Sequence, residues 1–405
     1  MAAKELEIYI HIPFCIRKCL YCDFLSGSFD EKMQETYVNY LLHEIELEAD
    51  TSYQDDTCVI SPGEEPPKVS DVYEVSTIFI GGGTPSVLPQ EAIGTILTKV
   101  RRSFRVLPDA EITIEVNPGT VDFEKFCAYK AMGINRVSIG CQSLNDDELL
   151  KLGRMHTEED FYKAWEACEK AGFTNRNVDL MSGIPGQDEE SYERTLRKII
   201  ELKPEHISAY SLIIEEGTPF YEMYPNGCVD EDSDRNLYAL SGRILSENGY
   251  NRYEVSNYAR KGFECRHNIG YWKRVSYLGF GVGAASLIDN VRFSNVADMR
   301  SYMYSLSDEG SDCLQNLGTY YHHAGSITPI PIKEQMSETM ILGLRMTVGV
   351  QFDEFAKLYG KELLEVYGDI VRKHVENGLL ENDGKRVFLT EKGFDLANYV
   401  MRDFI

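Results

Sequence analysis

Three cysteines at C-x3-C-x2-C spacing, Cys15, Cys19 and Cys22, fall inside the stretch YIHIPFCIRKCLYCDF near the start of this 405-residue chain. Thiolates are soft ligands suited to zinc or to iron–sulfur clusters, and a cubane cluster normally takes four of them. With three supplied locally, one iron is left without a protein ligand, and an open metal position is where chemistry becomes accessible. Reduced cysteines in a turn, or a zinc knuckle lacking its fourth ligand, would share the spacing.

The elements that must position these thiols alternate. A strand pattern covers 7–12, the cysteine loop follows, and an amphipathic helix runs from about 30 to 48. Strands are then expected at 75–81, 111–116, 136–139, 177–180 and 206–214, with helices between and after them, the last over 230–248. Repeated strand–helix units imply a parallel sheet covered on both faces. In barrels of that kind the working residues collect at the carboxyl ends of the strands. Unusual polar residues occupy those ends here: Gly82, Gly83 and Thr84, then Glu115, Gln142 and Asp179. Each has an ordinary explanation in a turn or a helix cap. A series of them, strand after strand, is harder to assign to capping.

The cysteine stretch resembles the cluster-binding loop of radical S-adenosylmethionine (SAM) enzymes. YIHIPFC and YCDF narrow the resemblance to the coproporphyrinogen-dehydrogenase branch and, within it, to the HemW-type heme chaperones. The resemblance implies a partial (β/α)6 barrel, a [4Fe-4S] cluster on Cys15, Cys19 and Cys22, and SAM on the open iron. Its SAM set falls on Tyr9, Tyr21, Gly82, Gly83, Thr84, Glu115, Gln142, Arg154 and Asp179. Chemically the set is apt. Glycines admit close backbone approach, an acid accepts from ribose hydroxyls, and a guanidinium pairs with a carboxylate. Dehydrogenases of this branch carry a further cysteine two residues after the triad, where this chain has Phe24, and an N-terminal extension, where only eight residues precede Tyr9. Both departures favour the chaperone type over an alternative radical enzyme acting on a tetrapyrrole, whether dehydrogenase or methyltransferase.

A second motif is ECRHNIGYW, Glu264 to Trp272. Neutral imidazole is a common heme ligand, and tyrosine or tryptophan offers flat apolar surface. The string resembles the HNxxYW signature of the chaperones, which implies heme contact by His267, Asn268, Tyr271 and Trp272, with His267 the candidate for the iron and Cys265 a second. Heme, a heme-accepting protein and an electron donor are the partners implied; a homodimer and a peripheral membrane contact stay open.

The remaining features set limits. The stretch 50–75 carries seven acids against Lys68 alone and reads as a polar surface excursion, making Cys58 a poor ligand. Cys127, Cys141, Cys168 and Cys228 read as structural, and 277–285 (YLGFGVGAA) as a glycine-rich turn. Beyond 328, three helices and a hairpin at Asn382–Gly384 suggest a winged-helix-like unit. With 10 basic and 13 acidic residues from Pro331 to Ile405, and a formal charge of −24 overall, nucleic-acid binding is not expected. The expected organisation is a barrel over 1–250, a heme-motif region over 251–327 and a C-terminal unit over 328–405. MAAKELEIYI enters a strand pattern directly, so no signal peptide is expected, the thiols should be reduced and the compartment cytoplasmic.

Overall fold

The computed structural model describes residues 3–53, 67–307 and 324–405. Cys58, the central part of the acidic stretch, and His322 and His323 lie outside the described residues. Six strands, β1 (Lys4–Ile12), β2 (Tyr73–Gly82), β3 (Arg105–Val116), β4 (Arg136–Gln142), β5 (Arg176–Ser182) and β6 (His206–Ser211), lie parallel and in sequence order, with helices returning the chain between them. The expected α/β architecture is therefore the observed one.

Side chains alternate across a strand, and here the alternation separates chemistry from packing. Ile8, Ile10, Ile12, Ile78, Ile80, Ile112, Ile114, Val137 and Ile139 are buried in the main hydrophobic core with residues of the covering helices. Burying one such side chain fully contributes roughly 1.5–3 kcal/mol. The intervening positions, polar apart from Phe79 and the glycines, line the barrel interior. Near the amino ends of the strands stand Glu7, Thr77, Glu111, Arg136, Asn177 and His206, all buried. Near the carboxyl ends stand Glu115, Gln142, Asp179 and Tyr210, which share one cavity.

The barrel does not close. Beyond β6 the sheet continues through antiparallel β8 (Asn257–Ala259) and β7 (Asn251–Arg252), and on the other side β9 (Tyr277–Phe280) pairs parallel with β1. Antiparallel β10 (Ala285–Ile288), β11 (Val291–Asn295) and β12 (Ala324–Pro329) follow in the same sheet. The glycine-rich stretch expected as a turn begins as β9 and makes its turn at 281–284, leading into β10. Its glycines serve close approach: a Cβ on Gly279 would strike the Ala285 carbonyl, and Gly281 and Gly283 hold positive φ.

The C-terminal unit has the expected three helices, Ile332–Gly343, Phe352–Tyr359 and Leu363–Glu376, and a three-stranded antiparallel sheet ordered β13 (Val350–Gln351), β15 (Arg386–Leu389), β14 (Leu380–Asn382). It has its own core, including Phe355, Val371, Val387 and Phe404. It meets the barrel side through Arg274 and Arg292, which both pair with Glu338, and through an isolated bridge between Glu254 and Met346.

The helix Arg266–Trp272, which carries the second motif, packs at the amino-terminal end of the barrel interior. A Cβ on Gly270 would overlap the Glu7 carboxylate. Gly270→Ala should therefore cost about 1–3 kcal/mol of unfolding free energy by overpacking. Urea denaturation would measure it, and Glu7→Ser, which vacates the space, should restore most of the loss in the double variant.

Candidate functional site

The cysteine loop is strung between β1 and the strand-end glycines. The Gly83 amide donates to the Ile12 carbonyl at 2.8 Å and the Thr84 amide to Phe14 at 2.7 Å. A Cβ on Gly83 would lie 2.8 Å from the Phe14 oxygen and 2.9 Å from that of Ile12, which is why the loop can lie down only on glycine. The Cys15 amide donates to Gly27 and the Gly27 amide to Pro13. His11 braces the far end. Its Nε2 meets the Leu25 carbonyl at 2.8 Å and its Nδ1 meets the Tyr9 hydroxyl at 3.0 Å. Because a carbonyl can only accept, Nε2 carries the proton and Nδ1 accepts from Tyr9. Burial holds the His11 pKa below its ordinary value, so the ring is neutral.

Cys15, Cys19 and Cys22 line a single cavity with Tyr21, Gly82, Gly83, Thr84, Glu115, Gln142, Arg154 and Asp179. All three thiols are half-buried and free of disulfides. Tyr9 does not line this cavity: it stands a layer below, braced on His11. Arg154 is the hub. Its Nη2 donates to Gly140 (2.6 Å), Asn117 (3.0 Å) and Gln142, and its Nη1 lies 3.7 Å from the Cys19 sulfur. Its buried Nε has no partner among the described residues. Gln142 sits at φ +62, a left-handed conformation that an ordinary side chain reaches at a cost of order 1–3 kcal/mol. Such strain persists where surroundings over-determine it.

The acids are hydrogen-bond acceptors with no ion pair among the described residues. Asp179 takes hydrogen bonds from Ser138 at 3.0 Å and from the Asn177 amide at 2.7 Å; burial raises its pKa against those donors. Glu115 accepts from the Gly82 amide at 3.2 Å. Burial, with Asp179 adding its charge, pushes the Glu115 carboxyl up to about 7. Two desolvated carboxylates on one wall and a guanidinium on another suit a ligand that carries both an amine with hydroxyls and a carboxylate. Among the described residues no three His, Cys, Asp or Glu side chains converge on a single ion. The three thiols sit on one loop at one wall instead, a donor set suited to the corners of a cluster.

The second motif lies at the opposite end of the interior, separate from the cysteines. The Glu111 carboxylate of β3 accepts from the amides of Arg266 and His267, each at 3.2 Å, and from the Cys265 thiol at 3.5 Å. It acts as a helix N-cap delivered by a strand. His267 is 2% exposed, its ring stacked on Phe79 at 5.1 Å and edge-on to Tyr271 at 4.6 Å. Its Nδ1 meets the Thr77 hydroxyl at 2.7 Å, while Nε2 is buried with no partner among the described residues. Burial, with Arg136 nearby, pushes its pKa down to about 3, so the imidazole is neutral. Cys265 is fully buried and its thiol is pushed up to about 12. Asn268, Tyr271 and Trp272 are half-buried.

One hydrogen-bonded chain joins the two ends. The Cys265 amide reaches the Tyr253 hydroxyl (3.3 Å), which meets His206 Nε2 (2.8 Å); His206 Nδ1 meets Asn177 Oδ1 (2.6 Å), and the Asn177 amide donates to Asp179 (2.7 Å). With the amide oxygen of Asn177 as acceptor, Nδ1 of His206 carries the proton and Tyr253 donates to Nε2. Burial holds His206 far below its ordinary pKa. Motif reading from sequence missed His11, Asn117, Ser138, His206 and Tyr253. Asn117 was detectable as the polar residue two beyond Glu115; Tyr253 and His206 carry no local signal, because their partners are 47 and 29 residues away.

Glu115 supplies a pH test. Its folded pKa lies above the ordinary 4.5, so the folded state binds the extra proton and stability falls as pH rises from about 4.5 to about 7. In cluster-loaded protein without added SAM, Glu115→Gln should remove that fall, worth at most about 3 kcal/mol. The drop in urea midpoint between pH 5 and pH 8 should be smaller in the variant than in the parent, the remainder being carried by Glu7, whose carboxyl is raised to about 9.

Residues 9–199 match the radical SAM superfamily, and residues 330–396 match the HemN C-terminal domain. The crystal structure of coproporphyrinogen III oxidase (HemN) from Escherichia coli superposes with a TM-score of 0.80, covering 99% of this chain and 90% of that one at 21% identity, a likeness of fold. Among curated proteins, heme chaperone HemW of Lactococcus lactis is 33% identical over 100% of this chain and 98% of its own length. HemW of Bacillus subtilis is 34% identical over 98% of each. HemW of E. coli is 40% identical over 69% of each. With an N-terminal radical SAM unit, a HemN-type tail and identity sustained from end to end, the chain belongs to the HemW family of radical SAM proteins.

Proposed function

We propose that this protein binds heme and passes it to an acceptor protein, and that its upper cavity holds a [4Fe-4S] cluster on Cys15, Cys19 and Cys22 together with SAM. The observation that carries the reading is the motif helix: its imidazole is neutral and has one buried nitrogen unused, the state in which histidine ligates iron. The relatives bearing the HemW name support it. His267 is enclosed in the structure, so iron reaches it when the helix Arg266–Trp272 shifts from the barrel mouth and the Glu111 cap opens. Cys265 moves with it as the second candidate.

When bound, the cluster and SAM supply one-electron chemistry at the upper cavity. The chain's own residues then have separable tasks. Arg154 would hold the cofactor carboxylate, Glu115 the amino group and Asp179 the ribose hydroxyls. Gly82, Gly83 and Thr84 offer backbone and hydroxyl contacts, Gln142 a polar contact, and Tyr21 closes the wall beside the cysteines. Tyr9 acts at one remove by holding His11, which pins the loop at Leu25. An electron donor is required for any turnover.

Dehydrogenation of a porphyrinogen is the competing reading. Against it, Phe24 stands where dehydrogenases carry a further cysteine, and it is exposed on the rim of the cavity. Anaerobic incubation of reconstituted protein with heme, SAM and a reductant separates the two. Stoichiometric heme retention with the tetrapyrrole unaltered is expected, and catalytic formation of protoporphyrinogen from coproporphyrinogen would overturn the chaperone reading. In a heme titration followed by absorbance, His267→Ala should weaken binding by about tenfold or more while cluster absorbance stays intact. Unchanged affinity removes His267 from the iron.

A further inference from the structure

A second cavity opens at the side of the barrel, between the motif helix, β9 to β11 and the C-terminal unit. Its volume is about 420 Å³, within the range of small-molecule sites. Tyr9, Tyr271, Trp272 and Tyr277 give it flat aromatic walls, and Arg274 and Arg292 stand in the same lining. The Trp272 indole N–H is buried with no partner among the described residues, and the Arg345 guanidinium lies 5.3 Å from the ring centre.

The charges here do not balance. Arg274 Nε and both terminal nitrogens of Arg292 bond to Glu338, at 2.9 to 3.1 Å. The remaining acceptors on Arg274 are neutral: Asn290 at 3.2 Å and the Tyr359 hydroxyl at 3.5 Å. Among the described residues the ion pairs of both arginines converge on this one carboxylate, so one positive charge is left over. In a chain of net charge −24 such a local excess is notable. Arg274 is also held at φ +56, a conformation costly for a side-chain-bearing residue, and its guanidinium is held beside the cavity by Glu338, Asn290 and Tyr359. Aromatic walls with an unspent guanidinium charge match a flat macrocycle that carries carboxylates, because arginine grips a carboxylate through a planar pair of N–H donors.

We propose that this side cavity is where the heme edge enters, its carboxylates held by Arg274 and Arg292 in competition with Glu338, its ring against Trp272 and Tyr271. The assignment rests on the heme-binding reading above and adds the site and the group recognised. It also gives the C-terminal unit a part in the site, since Glu338 and Leu342 come from the helix Ile332–Gly343.

The test titrates full-length, cluster-loaded protein with heme and with heme dimethyl ester, whose carboxylates are blocked. The parent should bind heme at least about tenfold more tightly than the ester, the weight of one charged hydrogen-bonded contact. Arg292→Gln and Arg274→Gln should lose that preference. Glu338→Gln breaks the same ion pairs but leaves the cations, so it should bind heme as tightly as the parent or more so; a loss equal to that of the arginine variants would mean the arginines matter only for docking the C-terminal unit, and overturns the proposal. Metal-free protoporphyrin should quench Trp272 emission, read in a Trp165→Phe background. Heme binding with no ester discrimination and no quenching sinks the cavity assignment alone. Failure of the parent to bind either ligand sinks the heme reading itself.

Discussion

A barrel lined with polar side chains cannot be plugged by an apolar cap without stranding donors and acceptors, and that constraint governs this molecule. The interior near the amino ends of the strands presents Glu7, Thr77, Glu111, Arg136, Asn177 and His206, none with free access to water. An unpaired buried polar group costs about 1–3 kcal/mol, so whatever seals this end has to answer in kind. The sealing helix does so at its first turn, where its open amides meet Glu111, and through Thr77, which meets His267. The compensation is incomplete: among the described residues the Glu7 Oε2, the Arg136 Nε and the His267 Nε2 are left over. Burial and the neighbouring acids Glu5 and Glu111 raise Glu7 to about 9, keeping it protonated through neutral pH. A motif helix held by polar contacts with buried groups still unsatisfied is fastened less firmly than one packed on leucines. That suits a helix expected to move.

Much of this was legible in the sequence. The hydrophobic alternation of β1 to β6 placed the strands because their outward faces are Ile and Val against covering helices. The polar residues at the strand ends stood out because a strand-end acid buried from water needs a reason. Arg154 was legible through resemblance alone, yet it proves to be the group that ties Gly140, Asn117 and Gln142 together. Less legible was everything that depends on distant pairing. The glycine-rich stretch at 277–285 looks like a turn throughout; its first four residues form a strand because β1 offers β9 a parallel edge. The position of the second motif was equally hidden. Its composition announces aromatic and imidazole chemistry, but nothing in nine residues says that it faces the end of the barrel opposite the cysteines.

Under the proposed function, the separation of the two motifs would keep the cluster and the heme apart. An electron-rich cluster and a redox-active macrocycle placed side by side would exchange electrons at will. Here the barrel interior, with its middle layer of Tyr9, Phe79, Thr113 and Ser208, stands between the cysteine cavity and the helix of His267. The C-terminal unit contributes Glu338 and Leu342 at the side rather than covering the cysteines, whose cavity is rimmed by Phe24 and Ser26 of their own loop.

The bonded chain from Cys265 through Tyr253, His206 and Asn177 to Asp179 has one further property. Its protons are ordered head to tail: each donor is fixed by the acceptor ahead of it, ending at an acid that has only lone pairs to give. The His206 Nδ1 hydrogen is therefore caged, its ring fully buried and its acceptor fixed, while the half-buried Tyr253 closes the chain on the side of the motif helix. In heavy water the His206 hydrogen should be among the last labile hydrogens to exchange, leaving a low-field magnetic resonance signal that reports, from the middle of the molecule, whether the motif helix has let go.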